Sequence, residues 1–512
     1  MKPKYYITTP IYYVNGAPHL GHAYTSTAAD VLARFKRLDG AEVFFLTGTD
    51  EHGQKVESAA RAAGVDPQTF TDQVAADFID MAKRMNISND DFIRTTEPRH
   101  KRACQALWLR LVESGAIQLG QYEGWYAVRD EAFYDEDELV TAADSTLTAA
   151  ASGAPVEWVV EPSYFFKLSA FQEPLLTFYE ANPGFIAPAA KRNEILSFVR
   201  GGLRDLSISR TSFTWGVPVP GDPKHVMYVW LDALTNYLTA IGYPDADAPR
   251  AEFWPANLHL VGKEIIRFHA VYWPAFLMAA GLPLPEKVYS HGWWTVEGEK
   301  MSKSLGNFID VRPLIDEFGL DPVRFFLLRE VPFGGDGDFS RKALISRLNV
   351  ELANDLGNLA QRTLSFIAKN AGGIVPALGE LSAPDVVLLD NAEDLTSKVR
   401  AALERLAFND ALEEIWKLVR AANAYIDQQA PWALKKTDDT RMRTVLRVLL
   451  EVLRVIAVLL QPFMPETMGK LLDQLGVATN ARQIADLEPQ MAEATPLPAP
   501  FGIFPRYVEA AG

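Results

Sequence analysis

The sequence contains one cysteine, Cys104, among 512 residues. A single thiol excludes an internal disulfide and any zinc site built from several cysteines, and it is typical of proteins from a reducing cytoplasm. The chain also lacks a long uncharged apolar run, since the best stretch, Val445–Phe463, is interrupted by Arg447, Glu451 and Arg454. A membrane-spanning helix needs about 20 mostly apolar residues. We therefore expect a protein without a membrane span.

An excess of positive charge is also absent. The net charge of −15 argues against a protein dedicated to nucleic-acid binding. The charge is uneven, however, because basic and acidic residues nearly balance between positions 341 and 470. Only this C-terminal region is electrostatically tolerant of a polyanion. The N-terminal residues Met1–Ile7 lack the apolar segment of a signal peptide, so we expect a cytoplasmic protein.

The length exceeds that of one ordinary domain, and several domains are expected. The chain begins with a strand pattern at Tyr5–Pro10 and a turn at Asn15 and Gly16. Apolar residues then recur at helical spacing over Leu20–Leu38, and a buried strand is predicted at Glu42–Gly48. This β-α-β order predicts a parallel sheet with its ligand site at the carboxyl ends of the strands.

The composition and the residue pattern of the sequence change twice further along the chain. From Ile117 to Pro223, short aromatic strands alternate with acidic loops such as Asp135–Glu138, which predicts an insertion that packs as its own small unit. From Leu344 to Leu472 the pattern is almost wholly helical and predicts an α-helical bundle. The tail from Pro489 to Phe504 has four prolines, and we expect it to lie extended on the surface.

Two histidines open the first predicted helix. His19 and His22 lie three residues apart on one face of its first turn, where exposed N–H groups and the helix dipole favour an anion. Gly21 between them lets a ligand ring approach the backbone closely. The pattern suits a bound polyphosphate. Metal ligation by the two imidazoles and a chance spacing are the alternatives.

Two lysines stand out in the second half of the chain. Lys300 and Lys303 lie in a serine-rich segment between Gly298 and Gly306. Such a mobile double cation could close over a triphosphate and stabilise the charge that develops as pyrophosphate leaves. An ordinary solvated surface is the alternative. The histidine and lysine motifs together, in this order across a long α/β region, are far more specific than either alone.

With these motifs the sequence resembles the class I aminoacyl-tRNA synthetases, and within them the methionyl-tRNA synthetases. Leucine, isoleucine and valine members are far longer because they carry an editing domain, and the cysteine member needs thiolates for zinc. The resemblance covers almost the whole chain. It rests on six ordered blocks: Tyr12–His22, Thr49–Gly53, Tyr228–Ala233, Gly262–His269, Lys300–Asn307 and Gln429–Trp432.

The resemblance implies a doubly wound, Rossmann-like α/β catalytic domain in two halves, 1–116 and 224–295, with a connective insertion at 117–223. It implies a lysine-motif loop and stem-contact region at 296–343 and a helical anticodon-binding bundle at 344–475. The tail, 476–512, would pack on the surface. Members that dimerise do so through an appended C-terminal domain, whereas this sequence ends at Gly512, so a monomer is expected.

The implied activity is methionine–tRNA ligation in the cytoplasm, in support of initiation and elongation of translation. ATP, escorted by Mg²⁺, activates methionine, which is then transferred to tRNA(Met), including the initiator tRNA. Asp50 would hold the α-amino group. Leu234 stands where some members have proline. Together the implied methionine contacts are Ile11, Tyr13, Asp50, Trp230, Leu234, Tyr237, Ile265 and His269.

The thioether pocket makes physical sense, because a polarizable sulfur packs well against aromatic edges. Tyr237 could offer the sulfur a weak hydrogen bond, and plain core packing is the alternative for Trp230 and Tyr237. The catalytic set implied by the resemblance is His19, His22, Lys300 and Lys303. The implied ATP contacts are His19, Gly21, His22, Gly262, Lys263, Glu264, Lys300, Ser302 and Lys303.

In the helical region, Asn358, Arg362 and Trp432 match the anticodon readers of the family. An anticodon base can stack on an indole, while Asn and Arg side chains hydrogen-bond to base edges. The alternative for Trp432 is that it stabilises a helix start after Pro431.

Many methionyl members carry a zinc knuckle with cysteine ligands in the insertion, and structural zinc needs about four N or S ligands. Here residues 117–223 contain neither Cys nor His, so we predict no zinc and no other resident metal. Aromatic packing is expected to replace metal coordination. The side chains expected to provide it are Trp125, Tyr126, Phe133, Tyr134 and Phe165.

Two other classes of protein are alternatives to a methionyl-tRNA synthetase. A nucleotidyltransferase that adenylates a small carboxylic acid without RNA would share the fold and motifs, but the long helical bundle argues against it. A non-catalytic RNA-binding protein derived from a synthetase is disfavoured because His19, His22 and Lys303 are intact.

Overall fold

The predicted β-α-β order at the N-terminus is present and lies in the middle of a parallel sheet. The computed structural model describes residues 2–129, 132–142, 145–296, 298–301, 308–488 and 490–509. In it, strand β1 (Lys4–Tyr13) pairs in parallel with β2 (Glu42–Asp50), and helix α1 (Leu20–Leu38) makes the crossover between them. Parallel strands require such a crossover.

The other strands and helices follow in chain order. The strands are β3 (Asp91–Arg94), β4 (Ile117–Ala127), β5 (Ala132–Tyr134), β6 (Leu139–Thr141), β7 (Leu147–Ala149), β8 (Glu157–Phe166), β9 (Ile186–Ala187), β10 (Leu206–Ser207), β11 (Ser209–Arg210), β12 (Pro218–Val219), β13 (Asp222–Met227), β14 (Leu258–Gly262), β15 (Val288–His291), β16 (Trp294–Val296), β17 (Glu299–Lys300) and β18 (Gly337–Phe339). The helices of the first two thirds are α2 (Gln54–Ala63), α3 (Pro67–Arg84), α4 (Pro98–Glu113), α5 (Gln172–Ala181), α6 (Ala189–Arg200), α7 (Val229–Thr239), α8 (Trp273–Ala279), α9 (Val311–Phe318) and α10 (Leu320–Arg329). The C-terminal helices are α11 (Arg341–Arg347), α12 (Asn358–Asn370), α13 (Ala383–Glu404), α14 (Phe408–Gln429), α15 (Pro431–Thr437), α16 (Asp439–Leu460) and α17 (Pro465–Gln474).

The central sheet has the strand order β3-β2-β1-β14-β15-β9, and all its pairings are parallel. The doubly wound α/β class expected from the sequence is confirmed. The chain proceeds from β1 towards β2 and β3 on one side, while β14 and β15 lie on the other. Such a switch point leaves a crevice at the carboxyl ends of the strands on either side of it, here β1 and β14.

Strand β2 shows how the sheet divides two hydrophobic cores. Phe45 packs into the core on the side of α1, whereas Phe44 and Leu46 pack into the opposite core, as the two-residue period of a strand requires. The α1 core continues into the C-terminal helices, where the rings of Phe325 and Trp416 lie 4.8 Å apart. The helical region is thus packed directly onto the catalytic domain.

The predicted insertion has its own antiparallel sheet, ordered β10-β8-β4-β5, in which β4 and β8 pair along ten residues. Trp125 and Trp158 meet edge to face at 5.3 Å, and Tyr126 is buried. The side chain of Phe133 lies outside the described residues. The insertion is not wholly separate, however, because β9 joins the parallel sheet beside β15. This pairing covers a sheet edge that would otherwise be exposed.

The C-terminal tail runs back along the helical region. The Ala494 N–H donates to the Val375 carbonyl, and the Val375 N–H donates to the Thr495 carbonyl. Phe504 is buried against the helices. Within the described ranges, no helix has both the length and the apolar character needed to cross a membrane.

Candidate active site

A cleft of about 1200 Å³ opens at the carboxyl edge of the parallel sheet, at the switch point described above. Its walls come from the end of β1, the start of α1, the end of β2, helix α7 and the segment after β14. The structure brings most of the predicted site residues together here: Ile11, Tyr13, His19, Gly21, His22, Asp50, Trp230, Leu234, Tyr237, Gly262, Glu264, Ile265 and His269 all line this cleft.

Four predicted ATP contacts are placed differently or not described. Lys263 does not line the cleft, because its ammonium pairs with Asp336 at 2.6 Å. Ser302 and Lys303 lie outside the described residues, as does the side chain of Lys300. Met301, which lies within the lysine motif, and Phe308, which follows it, do line the cleft. The described residues nearest to 302–307 on both sides therefore lie at the cleft.

The two histidines of the first motif cap the start of α1. The His19 Nδ1 accepts from the Gly21 N–H at 3.0 Å, and the His22 Nδ1 accepts from the His19 N–H at 3.1 Å. This reciprocal arrangement is a capping box in which imidazoles take the place of hydroxyl and carboxylate groups. The two rings stack with their centroids 3.8 Å apart.

The capping bonds assign the tautomer of both rings. Because each Nδ1 accepts a backbone N–H, the proton of the neutral ring is on Nε2. Burial lowers the pKa of His22 well below its usual range, and the neighbouring imidazole of His19 acts in the same direction. His22 is therefore neutral, and its Nε2–H is a donor suited to a phosphate oxygen at a helix N-terminus.

Gly21 is required by the position of the His19 ring. A Cβ at residue 21 would lie 2.9 Å from Cε1 of His19 and 3.0 Å from its Nδ1. The Leu20 N–H donates to the carbonyl of Ile309 at 2.9 Å, and the Phe308 ring meets His19 edge to face at 5.7 Å. The residues that follow the lysine segment are thus attached to the histidine turn.

The block Thr49–Gly53 ends β2 and directs three consecutive side chains to three different places. Asp50 lines the cleft. Glu51 is fully buried and accepts from Nε and Nη2 of Arg94 at 2.6 and 3.0 Å. His52 turns away from the cleft and bonds through Nδ1 to Asp232 at 2.7 Å. The whole strand end is therefore held by buried polar contacts.

Tyr237 and His269 are joined in the deepest wall of the cleft. The His269 Nδ1 donates to the Ile265 carbonyl at 3.0 Å, so its Nε2 accepts from the Tyr237 hydroxyl at 2.7 Å. Burial lowers the pKa of His269 to about 4, which keeps the ring neutral. The hydroxyl hydrogen is thus engaged with His269, and a weak bond from it to sulfur would require its redirection.

The same wall is aromatic and irregular. His269 lies in a π-helical turn, Phe268–Tyr272, of the kind that often occurs at functional sites. The Trp230 ring stacks on Phe268 with centroids 3.3 Å apart. Burial raises the pKa of the Tyr237 hydroxyl, and the nearby charge of Asp50 acts in the same direction. Asp50 and Tyr237 line the same cleft.

Arg210 and His291 are among the residues that line the cleft and that sequence reasoning missed. Arg210 is buried, its guanidinium lies 3.8 Å from the centroid of the Tyr228 ring, and its Nη1 donates to the Ser207 hydroxyl at 2.7 Å. No motif surrounds it in the sequence. His291 ends β15 and bonds through Nε2 to the Thr25 hydroxyl at 2.8 Å. Because ligands bind at the carboxyl ends of the strands in such sheets, the position of His291 at the end of β15 could have indicated that it lines the cleft.

Glu264 is held beside Gly262 by the indole of Trp293. The Trp293 Nε1 donates to Glu264 Oε2 at 2.6 Å. A Cβ at residue 262 would lie 2.6 Å from both carboxylate oxygens of Glu264. Glycine at 262 thus lets an acceptor group fold close over the strand end at the rim of the cleft.

In the part of the chain that the structure describes, three potential metal ligands lie close together: His100, Cys104 and Asp232, all buried. The His100 Nε2 lies 2.7 Å from Asp232 Oδ1 and 3.2 Å from the Cys104 sulfur, which are hydrogen-bond distances. Burial raises the pKa of the Cys104 thiol, and the charge of Asp232 acts in the same direction. The thiol is therefore neutral, whereas metal ions bind the thiolate.

The three predicted anticodon contacts are brought together on the helical region. Asn358 begins α12, and Arg362 follows one turn later. The Arg362 guanidinium lies 5.4 Å from the centroid of the Trp432 ring and pairs with Asp427 at 2.5 Å. The indole of Trp432 is 45% exposed. A side chain that only stabilised the start of α15 would be expected to be more buried.

Many unrelated enzymes bind ligands at the carboxyl edge of a doubly wound sheet, so the fold alone does not settle the class. The imidazole capping box at the first crossover, bonded to the residues that follow the lysine motif, is the arrangement expected of the class I aminoacyl-tRNA synthetases.

Comparison with known proteins identifies the family within this class. The family described as "tRNA synthetases class I (M)" matches residues 5–154 and 145–364, and "Anticodon binding domain of methionyl tRNA ligase" matches 375–502. The methionine–tRNA ligases of Rickettsia bellii and Brucella suis are 57% and 56% identical, over 99% of this chain and 100% and 99% of theirs.

Solved structures agree with this result. Methionyl-tRNA synthetase of Mycobacterium tuberculosis in complex with methionyl-adenylate is 53% identical, with a TM-score of 0.96 over 99% of this chain and 100% of that one. Its apo form is 49% identical, with a TM-score of 0.91 over 100% and 99%. The chain belongs to the methionyl-tRNA synthetases. It is an ATP-dependent methionine–tRNA ligase with a C-terminal anticodon-binding domain.

Proposed function

We propose that the described cleft holds methionine between the end of β2 and helix α7, and ATP at the start of α1. The observation that supports this assignment is the convergence of Asp50, the aromatic wall and the imidazole capping box in one cleft. The first suits an ammonium group, the second an apolar thioether and the third a polyphosphate. These three groups correspond to the α-ammonium group and side chain of methionine and to the triphosphate of ATP.

At the methionine end, Asp50 accepts the α-ammonium group in a charge-assisted contact. The thioether chain lies against Trp230, Tyr237 and His269, which are fixed by stacking and hydrogen bonds before the substrate arrives. The remaining apolar contacts are Ile11, Tyr13, Leu234 and Ile265. Arg210 is the buried cation of this region, and we assign it to an anionic group of the adenylate.

At the ATP end, His19 and His22 direct Nε2–H donors to the phosphates, and Gly21 keeps the His19 ring in place. Gly262 and Glu264 lie where the ribose and adenine would contact the strand end. Lys263 reaches ATP only if its ammonium leaves Asp336. Lys300, Ser302 and Lys303 are assigned to the triphosphate, on the resemblance of their motif, and Mg²⁺ accompanies the nucleotide.

These residues act by positioning and charge stabilisation, without a covalent enzyme intermediate. The methionine carboxylate oxygen attacks the α-phosphorus, and the bond to the bridging oxygen breaks to release pyrophosphate. The neutral imidazoles and the lysines stabilise the charge that develops. A terminal ribose hydroxyl of tRNA(Met), including the initiator tRNA, then attacks the methionyl carbonyl carbon. AMP leaves, and the hydroxyl proton is lost to solvent or phosphate.

The patch of Asn358, Arg362 and Trp432 is assigned to the anticodon. A splayed base stacks on the exposed indole, and Arg362, which already lies over that ring, hydrogen-bonds to a base edge.

A monomeric state and a cytoplasmic location stay predictions. Light scattering at micromolar concentration should give the mass of one chain, and twice that mass would contradict the expected monomer.

The assignment of His22 can be tested with two substitutions that separate its two nitrogens. His22→Asn keeps an acceptor near Nδ1 and so retains the cap, whereas His22→Gln places an N–H near Nε2. We expect His22→Asn to slow ATP–pyrophosphate exchange about 100-fold, as for loss of a transition-state donor. His22→Gln should recover part of this rate, and both should leave KM for methionine nearly unchanged. Equal rates for the two variants would contradict the phosphate role.

A further inference from the structure

A buried polar network lies directly behind the cleft and forms no part of its lining. Asp232 is in the first turn of α7 and accepts hydrogen bonds from both sides: from Nδ1 of His52 at 2.7 Å and from Nε2 of His100 at 2.7 Å. His52, His100 and Asp232 are 3%, 0% and 0% exposed. None of them lines the cleft.

The network joins the two elements that carry the two ends of the proposed methionine site. His52 follows Asp50 by two residues at the end of β2. Asp232 lies on α7 between Trp230 and Tyr237, which form the aromatic wall. The hydrogen bond from His52 to Asp232 is therefore a direct connection between the carboxylate for the amino group and the pocket for the thioether chain.

The carboxylate at the centre is ionised. Burial alone would raise the pKa of Asp232, but the two imidazoles outweigh burial and hold the pKa well below its usual range. A buried ion of this kind is tolerated only where donors surround it, and removal of one donor leaves a charge without compensation. The geometry at Asp232 is thus strongly determined by the positions of His52 and His100.

The imidazole of His52 has a cost in folding free energy that packing alone does not explain. Its Nε2 is buried and has no hydrogen-bond partner among the residues that the structure describes. An unsatisfied buried polar atom costs about 1–3 kcal/mol, and an apolar side chain of similar size would avoid this cost. In return the imidazole provides the bond to Asp232, together with an edge-to-face contact with Trp215 at 5.5 Å that an apolar ring could also make. This points to a requirement for that bond.

We propose that His52 and Asp232 are positioning residues that set the distance between Asp50 and the thioether pocket, and so select the length of the amino-acid side chain. This inference rests on the assignment of Asp50 and the aromatic wall to methionine. Neither residue touches the substrate. Their bond fixes the spacing of the groups that do, as supporting contacts do around other preorganised sites.

A fixed spacing should discriminate against amino acids that differ by one methylene. Ethionine is one methylene longer than methionine, and S-methylcysteine is one methylene shorter. An apolar pocket distinguishes one methylene by about 10- to 200-fold. When the link between β2 and α7 is loosened, methionine should bind less well and its two neighbours should be rejected less strongly.

Three substitutions of His52 vary the bond without touching the cleft. His52→Asn keeps an N–H near the position of Nδ1, His52→Gln displaces that donor by one bond length, and His52→Leu removes it. We expect KM for methionine in ATP–pyrophosphate exchange to rise in this order, reaching about tenfold or more for His52→Leu. KM for ATP should stay within about twofold, because the histidine turn is not bonded to the network.

The matched control is Cys104→Ala, which perturbs the same buried cluster without breaking the bond from β2 to α7. It should lower the melting temperature but leave KM for methionine and the ratio of kcat/KM for methionine over ethionine unchanged. In His52→Leu that ratio should fall about tenfold. If His52→Leu does not fold, the comparison of His52→Asn with His52→Gln decides, since both keep a polar side chain.

The results separate failure of this inference from failure of the site assignment. Asp50→Asn should abolish most methionine activation if the site assignment holds. If Asp50→Asn has no effect, the methionine site itself is misplaced. If Asp50→Asn is inactive but the folded His52 variants match Cys104→Ala in KM and in selectivity, the network is merely structural and the positioning role is refuted.

Discussion

The catalytic cleft and the anticodon patch recognise their ligands with opposite kinds of surface. In the cleft, Asp50, Tyr237 and His269 are buried, and Tyr237 and His269 are already bonded to each other. In the patch, Trp432 is 45% exposed, and Arg362 is held by one solvent-facing ion pair with Asp427. The cleft is preorganised for a small rigid target, whereas the patch can adapt to RNA bases.

These two kinds of surface predict different losses of activity on single substitutions. Removal of a group from a buried, fully bonded site leaves its partners unsatisfied in a low-dielectric environment, which costs several kcal/mol. Removal of an exposed stacking group forfeits little more than the stacking itself. The cleft should therefore respond steeply and the patch gradually.

The steepest response is expected at Asp50. Asp50→Asn removes the charge that balances the α-ammonium group, and kcat/KM for methionine in ATP–pyrophosphate exchange should fall about 1000-fold, near the upper part of the range for a lost buried ion pair. KM for ATP should change little. Asp394→Asn, on the exposed surface of α13, is the charge-matched control and should behave as the unmodified enzyme. A decrease of kcat/KM smaller than tenfold would contradict the assignment of Asp50 to the methionine site.

The next response is expected in the lysine segment and distinguishes binding from catalysis. Lys303→Ala should slow adenylate formation about 100-fold and leave methionine affinity nearly unchanged, because a closing cation acts on the charge of the transition state. Stopped-flow fluorescence measures both quantities. The exposed Lys342→Ala serves as control. An unchanged rate constant with weakened methionine binding would contradict the assignment.

A smaller response is expected in the anticodon patch. Trp432→Ala should lower kcat/KM for tRNA by about 5- to 150-fold, the equivalent of 1–3 kcal/mol for a lost stack. ATP–pyrophosphate exchange should be spared, since the patch lies on a separate region. Trp432→Phe should retain much of the activity because it keeps an aromatic face. Loss of both activities with a lower melting temperature would instead favour a role for Trp432 in stabilising the start of α15.

Local patterns in the sequence were sufficient for much of this architecture. The order of β1, α1 and β2 follows from apolar periodicity, and the His19–His22 turn follows from motif spacing. The side chains of the cleft that were predicted lie within the ordered sequence blocks or a few residues from them, and the described blocks at the cleft fold at strand ends or helix starts. Such features depend on residues near one another in the chain.

The features that could not be predicted depend on distant residues. His52 and Asp232 are 180 positions apart, and no local pattern marks their bond. Arg210 reaches the cleft from the insertion without any motif around it. Strand β9 joins the central sheet from inside a segment whose texture indicated a separate unit, because pairing with β15 is decided by tertiary contacts rather than by propensity.

The smallest effect is expected in a third region, the connective insertion, and here the prediction is of no change. Residues 117–223 offer neither Cys nor His as zinc ligands, and we expect the packing of Trp125 on Trp158 and the burial of Tyr126 to hold this region instead. The purified enzyme should contain no stoichiometric zinc by elemental analysis. Prolonged treatment with a strong chelator, followed by restoration of Mg²⁺, should leave exchange and aminoacylation at their starting values. Trp125→Ala, in contrast, should lower the melting temperature by removing an edge-to-face contact worth about 0.5–1.5 kcal/mol beyond its buried area. Zinc at one ion per chain, lost together with activity on chelation, would show that this region is held as in the zinc-binding relatives.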